Sequence, residues 1–354
     1  RPYFEILHDP FLMKDMSIAV ERIQKAVEKK ESIMIFGDYD VDGTSSVALL
    51  SLYLESLGLY VTKYLPDRKN EGYGISINAI DNAFKKKQKL IIALDCGIKA
   101  YKQVEYAKEK GIEFIICDHH NPENNIPKAL AVLNPKRKDC GYPYKELCGC
   151  GVGFKLVQAI ESRQSNDNQI INYLDLVALA IAADVVPLTG ENRVLAFIGL
   201  QIINSNPKLG IHCLLKKNIK KEYTISDLMY YVGPRINAAG RIKHASLALE
   251  LLMCNEINSA EKLALELEDL NTSRREIEKD ITNQAIDQVE NLSKKLNSIV
   301  VFDSDWNKGV IGIVASRLVD KYYKPSVVFC ESSEGFLTAS ARSIKVLDLS
   351  LIHI

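Results

Sequence analysis

Short apolar runs at residues 33–36, 90–94 and 114–117 each lead into aspartate. The first enters Gly37-Asp38-Tyr39-Asp40-Val41-Asp42-Gly43, the second Asp95-Cys96-Gly97, the third Asp118-His119-His120. The runs are unbroken rather than alternating, so each reads as a strand buried on both faces, the habit of a parallel sheet. Between and around them, helical spacing of apolar residues marks 44–57, 77–84 and 101–110, the last closed by Gly111. Further strands are expected at 60–65 and 129–133, and further helices at 154–162 and 171–183. Strand and helix repeated in this order predict an α/β fold, a doubly wound parallel sheet.

In such sheets ligands bind beyond the carboxyl ends of the strands. The aspartates fall there, and residues 181–183 add a further apolar run that ends in Asp184. A core does not favour so many carboxylates at one edge, but a divalent metal site does. Hard cations take oxygen ligands with an occasional imidazole. Asp38, Asp40 and Asp42 alternate, so on an extended segment they share a face. A calcium loop would need a glutamate at its twelfth position, and that position is Leu49. A plain turn explains a single Asp, but not several segments delivering Asp or His to one edge. Two ions clamping the oxygens of a displacement at phosphorus fit that edge. His119 and His120 are adjacent, so on an extended segment one can face a metal and the other a substrate.

Charge decides little here. Lys plus Arg number 45 and Asp plus Glu 45, so any nucleic-acid contact must use a local groove. No apolar run is long enough to cross a bilayer, and no membrane role is expected. The chain opens on Arg1 without a signal-peptide pattern and reads as a fragment. Cys140, Cys148 and Cys150 cluster but lack a second close pair. They and the other five cysteines read as small core residues in a reducing, cytoplasmic protein rather than as a zinc site.

Residues 256–296 contain no Gly or Pro and repeat apolar residues near helical spacing, which predicts a long helix joining two domains. Strands at 298–302 and from 325 flank a glycine-bearing loop that enters a helix at 309–318. This is a smaller α/β unit. Three segments carry cations beside small residues or hydroxyls, as phosphate sites do: 66–74 with Arg68, 233–241 with Arg235, Asn237 and Arg241, and 339–343 with Ser340 and Arg342.

Asp38-Tyr-Asp-Val-Asp-Gly43, Leu94-Asp-Cys-Gly97, Asp118-His-His120 and Ala183-Asp-Val-Val-Pro187 resemble, in order, the four motifs of the DHH phosphoesterase superfamily. Glu71-Gly-Tyr-Gly74, the segment 233–241 and the motif 309–317 resemble its RecJ branch of single-stranded-DNA exonucleases. The resemblance implies a catalytic domain over 1–250, a connecting helix over 251–297, and a DHH-associated domain over 298–354, incomplete at its end. It implies two Mn2+ or Mg2+ ions held by Asp40, Asp42, Asp95, His119 and Asp184, with Asp95 bridging. Asp38 and Asp118 would support the site, and His120 would contact the scissile phosphate or assist the leaving group. Arg68, Arg235, Asn237, Arg241, Ser340 and Arg342 would bind the DNA backbone or its 5′ phosphate. The implied activity is 5′→3′ hydrolysis of single-stranded DNA to 5′ mononucleotides in repair and recombination. A single-strand-binding protein and a helicase are the implied companions.

Two departures matter. Many superfamily members carry a histidine four residues before the first ligand of motif one. Phe36 stands there, so one ion is expected to have fewer ligands and bind more weakly. The sequence from residue 344 on also departs from the branch. Rival readings are a DHH enzyme acting on short oligonucleotides, cyclic dinucleotides or pyrophosphate, and a catalytically inactive DHH scaffold. A dinucleotide-binding oxidoreductase would need a glycine fingerprint after the first strand, and acidic sequence stands there instead.

Overall fold

The computed structural model describes residues 4–68, 70–163, 169–291, 296–332 and 335–347. The expected departure beyond residue 344 lies mostly outside them. The chain divides into two compact units, one of residues 1–240 with 244–267, the other of residues 241–243 with 268–354.

The first unit begins with α1 (Met16–Glu28) and is built on five strands: β1 (Ile33–Gly37), β2 (Val61–Tyr64), β3 (Leu90–Leu94), β4 (Glu113–Cys117) and β5 (Ala131–Leu133). All pair in parallel in the order β2-β1-β3-β4-β5. β1 and β3 are buried at every residue, which is why their sequences are continuous rather than alternating. Between strands the chain runs through α2 (Val41–Ser56), α3 (Ile77–Lys85) and α4 (Tyr101–Glu109). One face packs Phe36, Ile80, Ile91, Val104, Phe114 and Ile116 into a core. Phe36, the residue at the expected histidine position, is buried there and stacks on Tyr64 at 5.6 Å between ring centroids.

Beyond β5 the unit is helical: α5 (Gly149–Ser162), α6 (Leu174–Asp184), α7 (Gly190–Ser205) and α8 (Leu209–Leu215). A short turn, α9 (Ile225–Asp227), runs through a π-helical stretch at Leu228–Val232 into α10 (Gly233–Ile242), and α11 (Ser246–Met253) follows. Segment 233–241 is therefore helix rather than loop. Its small residues serve packing: a Cβ on Gly240 would lie 2.8 Å from the Tyr39 carbonyl oxygen.

The long helix is α12 (Ile257–Glu290). Its first turns count with the first unit and the rest with the second. In the second unit Ile277, Ile281, Ala285 and Val289 recur every four residues and face a core of Val301, Trp306, Val314 and Leu318. That core is closed by β6 (Ile299–Phe302), α13 (Ile311–Tyr322), β7 (Ser326–Glu331) and β8 (Leu337–Arg342), with strand order β6-β7-β8. β7 and β8 pair antiparallel. No helix among the described residues is long and apolar enough to cross a membrane.

Candidate metal centre

Strand order reverses direction between β1 and β3, and a parallel sheet leaves its ligand crevice at such a point. Asp38 follows β1, Asp95 follows β3, and His119 and His120 follow β4. Asp38, Asp95 and His119 are 2%, 2% and 6% exposed, so these polar groups sit inside the protein.

The Asp-rich loop does not stay extended. Helix α2 begins at Val41, three residues earlier than its sequence pattern suggests, because Asp40 caps it. The Asp40 Oδ1 accepts the Gly43 N–H at 3.0 Å. Asp42 therefore stands in the first helical turn, and alternation on one face is not what gathers these aspartates. Asp184 comes from a helix, as the last residue of α6, which lies where a helix was expected over 171–183. A carboxylate at a helix C-terminus opposes the helix dipole. The next residue, Val185, has φ 56°, a strained choice for a β-branched side chain. Asp95 is likewise left-handed at φ 58°.

These side chains meet in three overlapping groups: Asp38 with Asp40 and Asp95, Asp95 with His119 and His120, and Asp42 with His119 and Asp184. Within each group the potential ligand atoms lie within 4.8 Å of one another. Asp95 and His119 each belong to two groups, so the groups are adjoining. His119 Nε2 lies 3.2 Å from Asp95 Oδ1, 3.7 Å from Asp184 Oδ2 and 3.8 Å from Asp42 Oδ2. None of these contacts forms a hydrogen bond, and Asp38 Oδ1, Asp95 Oδ1 and both His119 nitrogens are left buried without a partner. Such groups cost about 1–3 kcal/mol each.

Electrostatics express the same strain. Burial, then Asp40, pushes Asp38 up to about 7. Burial, then Asp40, pushes Asp184 up to about 6, with His120 and Lys136 pulling the other way. Burial and neighbouring carboxylates raise Asp42 and Asp95 well above the ordinary range. Burial, then His120, lowers His119 to about 4, and Lys136 adds to that direction, so the ring is neutral at pH 7. A neutral imidazole and crowded, unpartnered carboxylates form a nitrogen and oxygen donor set that suits Mg2+ or Mn2+.

His120 differs. Its Nδ1 lies 2.8 Å from Asp118 Oδ1, and that hydrogen bond raises its pKa against the effect of burial. Asp118 also accepts the N–H groups of His119 at 2.7 Å, His120 at 3.0 Å and Ile98 at 2.9 Å. Burial would raise Asp118, but the bonds from His120 and the backbone hold it below the ordinary carboxylate range. His120 is thus a braced, readily protonated ring. Tyr73 stands edge-on to it, with ring centroids 6.1 Å apart.

Of the expected phosphate contacts, Arg68 lies over the Tyr39 ring, 4.9 Å from its centroid, and its charge reaches Asp38. Arg235 is buried, and its Nη1 donates to the Tyr231 carbonyl. Asn237 braces the Asp-rich loop: its Oδ1 accepts the Val41 N–H at 3.2 Å. In the second unit, Arg241 Nη1 donates to the Gly309 carbonyl at 2.9 Å. Ser340 and Arg342 lie on β8 around Gly312, where a Cβ would stand 3.3 Å from Ser340 Oγ and 3.5 Å from Arg342 Nη2.

The sequence reading missed the start of α5. The Gly149 and Cys150 N–H groups donate to the two Asp42 oxygens, each at 2.7 Å. An ideal Cβ on Gly149 would lie 2.6 Å from Asp95 Cβ. The glycine-dense string Cys148-Gly-Cys-Gly-Val-Gly153 was the available signal. All eight cysteines are free, and none enters a metal-ligating group among the described residues.

A parallel sheet with a carboxylate and imidazole cage at its switch point defines a divalent-metal α/β protein. Residues 32–181 match the family model described as DHH family, N-terminal domain. Those residues form a DHH-family domain, and the likeness to proteins named RecJ runs through nearly the whole chain. The chain is 40% identical over 345 residues to the single-stranded-DNA-specific exonuclease RecJ of Bacillus subtilis, an alignment covering 97% of this chain and 43% of that protein. The protein of the same name from Haemophilus influenzae is 40% identical over 348 residues, covering 94% of this chain and 60% of that one. The chain thus spans about half the length of these relatives. A crystal structure of exonuclease RecJ bound to manganese superposes with a TM-score of 0.86 at 29% identity, covering 98% of this chain and 85% of that one.

Proposed function

We propose that this chain is the catalytic part of a 5′→3′ exonuclease that hydrolyses single-stranded DNA to 5′ mononucleotides with two Mn2+ or Mg2+ ions. The observation that carries the reading is the junction of three ligand groups through Asp95 and His119. Asp40, Asp42, Asp95, His119 and Asp184 would hold the ions, Asp95 being common to two of the ligand groups and Asp38 lying with Asp40 and Asp95 in one of them. Bound there, such ions polarise the phosphate and lower the pKa of water. The chain's own groups do the rest. Asp118 fixes the orientation of His120 and favours its protonated form, which can donate to a phosphate oxygen or the departing 3′ oxygen. Arg68, over the Tyr39 ring, presents a cation beside the loop. Ser340 and Arg342 supply donors for a backbone or terminal 5′ phosphate, and the names of the relatives support single-stranded DNA as substrate. Action in the cytoplasm beside a single-strand-binding protein and a helicase, in repair and recombination, belongs to the same proposal, as does assignment of 1–250 and 298–354 to catalytic and associated domains.

The test uses 5′- and 3′-labelled single strands and blunt duplexes with Mn2+ or EDTA, beside Asp95→Ala and His119→Ala. Mn2+-dependent release of 5′ mononucleotides from the 5′ end, lost in both variants, is the expected result. Activity that survives both variants, or that favours duplex, refutes it. Turnover restricted to short oligonucleotides would favour the rival substrate class.

A further inference from the structure

Beside the metal centre is a pocket of 590 Å³ walled by Asn121, Lys136, Lys138, Cys140, Lys145 and Glu146. Its position is tied to the catalytic loop by hydrogen bonds. Asn134 Nδ2 donates to the His120 carbonyl at 2.9 Å, and Asn134 Oδ1 accepts the Lys136 N–H at 2.8 Å. Asn121 follows His120 directly, and Glu146 stands two residues before Cys148, the cap of α5. The pocket is therefore linked to the acidic cage through both chain segments that bound it, and the charge of Lys136 reaches Asp184 and His119.

Its charge is opposite to that of the cage. The guanidinium of Arg137 is already taken by Asp15 at 2.6 Å and Asp139 at 2.7 Å. The lysines are less committed. Lys136 has Glu146 at 4.0 Å as its carboxylate neighbour, the outer limit of an ion pair. Lys145 donates to the Cys140 carbonyl at 2.9 Å, and Lys138 reaches Asn124 at 3.4 Å. An ammonium has three donors, so each lysine keeps some for a ligand. In a chain of zero formal charge, three lysines gathered against one glutamate form a local anion site. A polynucleotide with its scissile phosphate at the cage must lay a neighbouring phosphate along an adjoining wall, and cations there offset its charge.

We propose that this pocket binds a nucleotide phosphate next to the scissile one, with Lys136 as its direct contact and Lys138 and Lys145 as flanking charges. The inference rests on the nuclease reading and adds residues to its substrate path. The phosphate can belong to the intact strand or to the released nucleotide.

Fluorescence anisotropy of a labelled single-stranded oligonucleotide in Ca2+, measured over a salt series, tests it apart from turnover. Lys136→Gln is expected to weaken binding about fivefold and to reduce the salt slope by about 0.7, while Lys136→Arg retains most of the affinity. Lys110→Gln, at a lysine paired with Asp81 elsewhere on the unit, leaves binding unchanged. A deoxynucleoside monophosphate that displaces the oligonucleotide less well from Lys136→Gln than from the parent assigns the pocket to the released nucleotide. Equal displacement assigns it to the strand. Wild-type affinity and salt slope in both Lys136→Gln and the triple Lys136→Gln, Lys138→Gln, Lys145→Gln variant, with melting unchanged, overturn the proposal. A parent chain that binds DNA through Lys136 but never cleaves it would sink the nuclease reading and leave the pocket standing.

Discussion

A single methyl group at residue 149 tests how finely the cage is held. Gly149 sits where α5 begins, with its N–H on Asp42 and its Cα against Asp95. In Gly149→Ala the new Cβ would stand 2.6 Å from Asp95 Cβ and Oδ1 and 2.8 Å from Asp95 Cγ. Carbon atoms settle at about 3.5–4.0 Å, so Asp95 or the helix start must retreat by about 1 Å. Either movement displaces a ligand, Asp95 directly or Asp42 through its two N–H bonds. A misplacement of 1 Å costs on the order of 100-fold in rate. The same helix supplies the control. A Cβ on Gly151 meets nothing nearer than 3.4 Å, so Gly151→Ala keeps the site and gains up to about 1 kcal/mol of helix stability. Titration calorimetry with Mn2+ and initial rates on single-stranded DNA read the two variants side by side. Gly149→Ala should lose Mn2+ affinity and turnover together, and Gly151→Ala neither. Equal behaviour of the pair in both assays would refute the claim that Gly149 sets the spacing of Asp42 and Asp95.

Three further outcomes follow from the same geometry. Metal-free protein should lose stability as pH rises from about 4 to 7, because Asp38 and Asp184 have folded pKa values raised to about 7 and about 6 and Asp42 and Asp95 are raised as well, which together outweigh His119, whose folded value lowered to about 4 works the other way below its ordinary 6.5. Chemical denaturation should show a fall on the order of 2–4 kcal/mol, reversed at pH 8 by Mn2+, and a flat profile would contradict the crowded-carboxylate account. Val185→Asn should raise the melting temperature, since Asn tolerates the left-handed backbone at this 65% exposed position where Val costs about 1 kcal/mol. An unchanged or lower melting point would show that no strain resides there. Asn237→Ala should lower Mn2+ affinity by calorimetry while costing about 1 kcal/mol in folding, because the Val41 N–H at the start of α2 loses its acceptor. Unaltered affinity would leave Asn237 without its bracing role.

The sheet and its ligand edge were legible because burial on both faces writes itself as unbroken apolar runs. β1, β3 and β4 lie within a residue or two of their expected positions. The Asp and His residues were legible because polar groups at the ends of such runs conflict with the core. The reading was weaker wherever one composition serves two conformations. Asp40 looked like one of three alternating ligands, although an Asp ahead of Gly43 is also a helix cap. In segment 233–241 the small residues that suggested a phosphate site also let α10 pack against Tyr39. The backbone donors of Gly149 and Cys150 left only the glycine-dense string 148–153 as a trace, because a main-chain N–H is present in almost every residue and only the fold aims it. Lys136 was missed for a related reason: its significance depends on Asn134, which ties it to His120 through a carbonyl.

A cage of unpartnered carboxylates would spread apart in a flexible loop, so something must hold it closed before any cation arrives. Asp42 is pinned through both oxygens by the start of α5, and Asp40 is pinned by capping α2. Asp118 is held by three backbone N–H groups and in turn fixes His120. These bonds run to backbone donors, which carry no side-chain entropy and lie on rigid elements. Asp38, Asp95 and His119 keep buried atoms without partners, and those are the positions where a cation has most to offer. The division follows from chemistry: an atom already paired gains little from a metal, while a buried orphan gains its missing partner. Asp40 and Asp42 are therefore set in place by the metal-free fold and keep lone pairs for an ion, while Asp95 and His119 gain a missing partner from it. Replacing a pinned group should disturb the shape of the site, while replacing an orphan should remove a ligand and relieve the metal-free protein. Asp95→Asn is the sharpest case: it should abolish Mn2+ binding and yet raise the metal-free melting temperature at pH 8, where the crowding of charge is greatest.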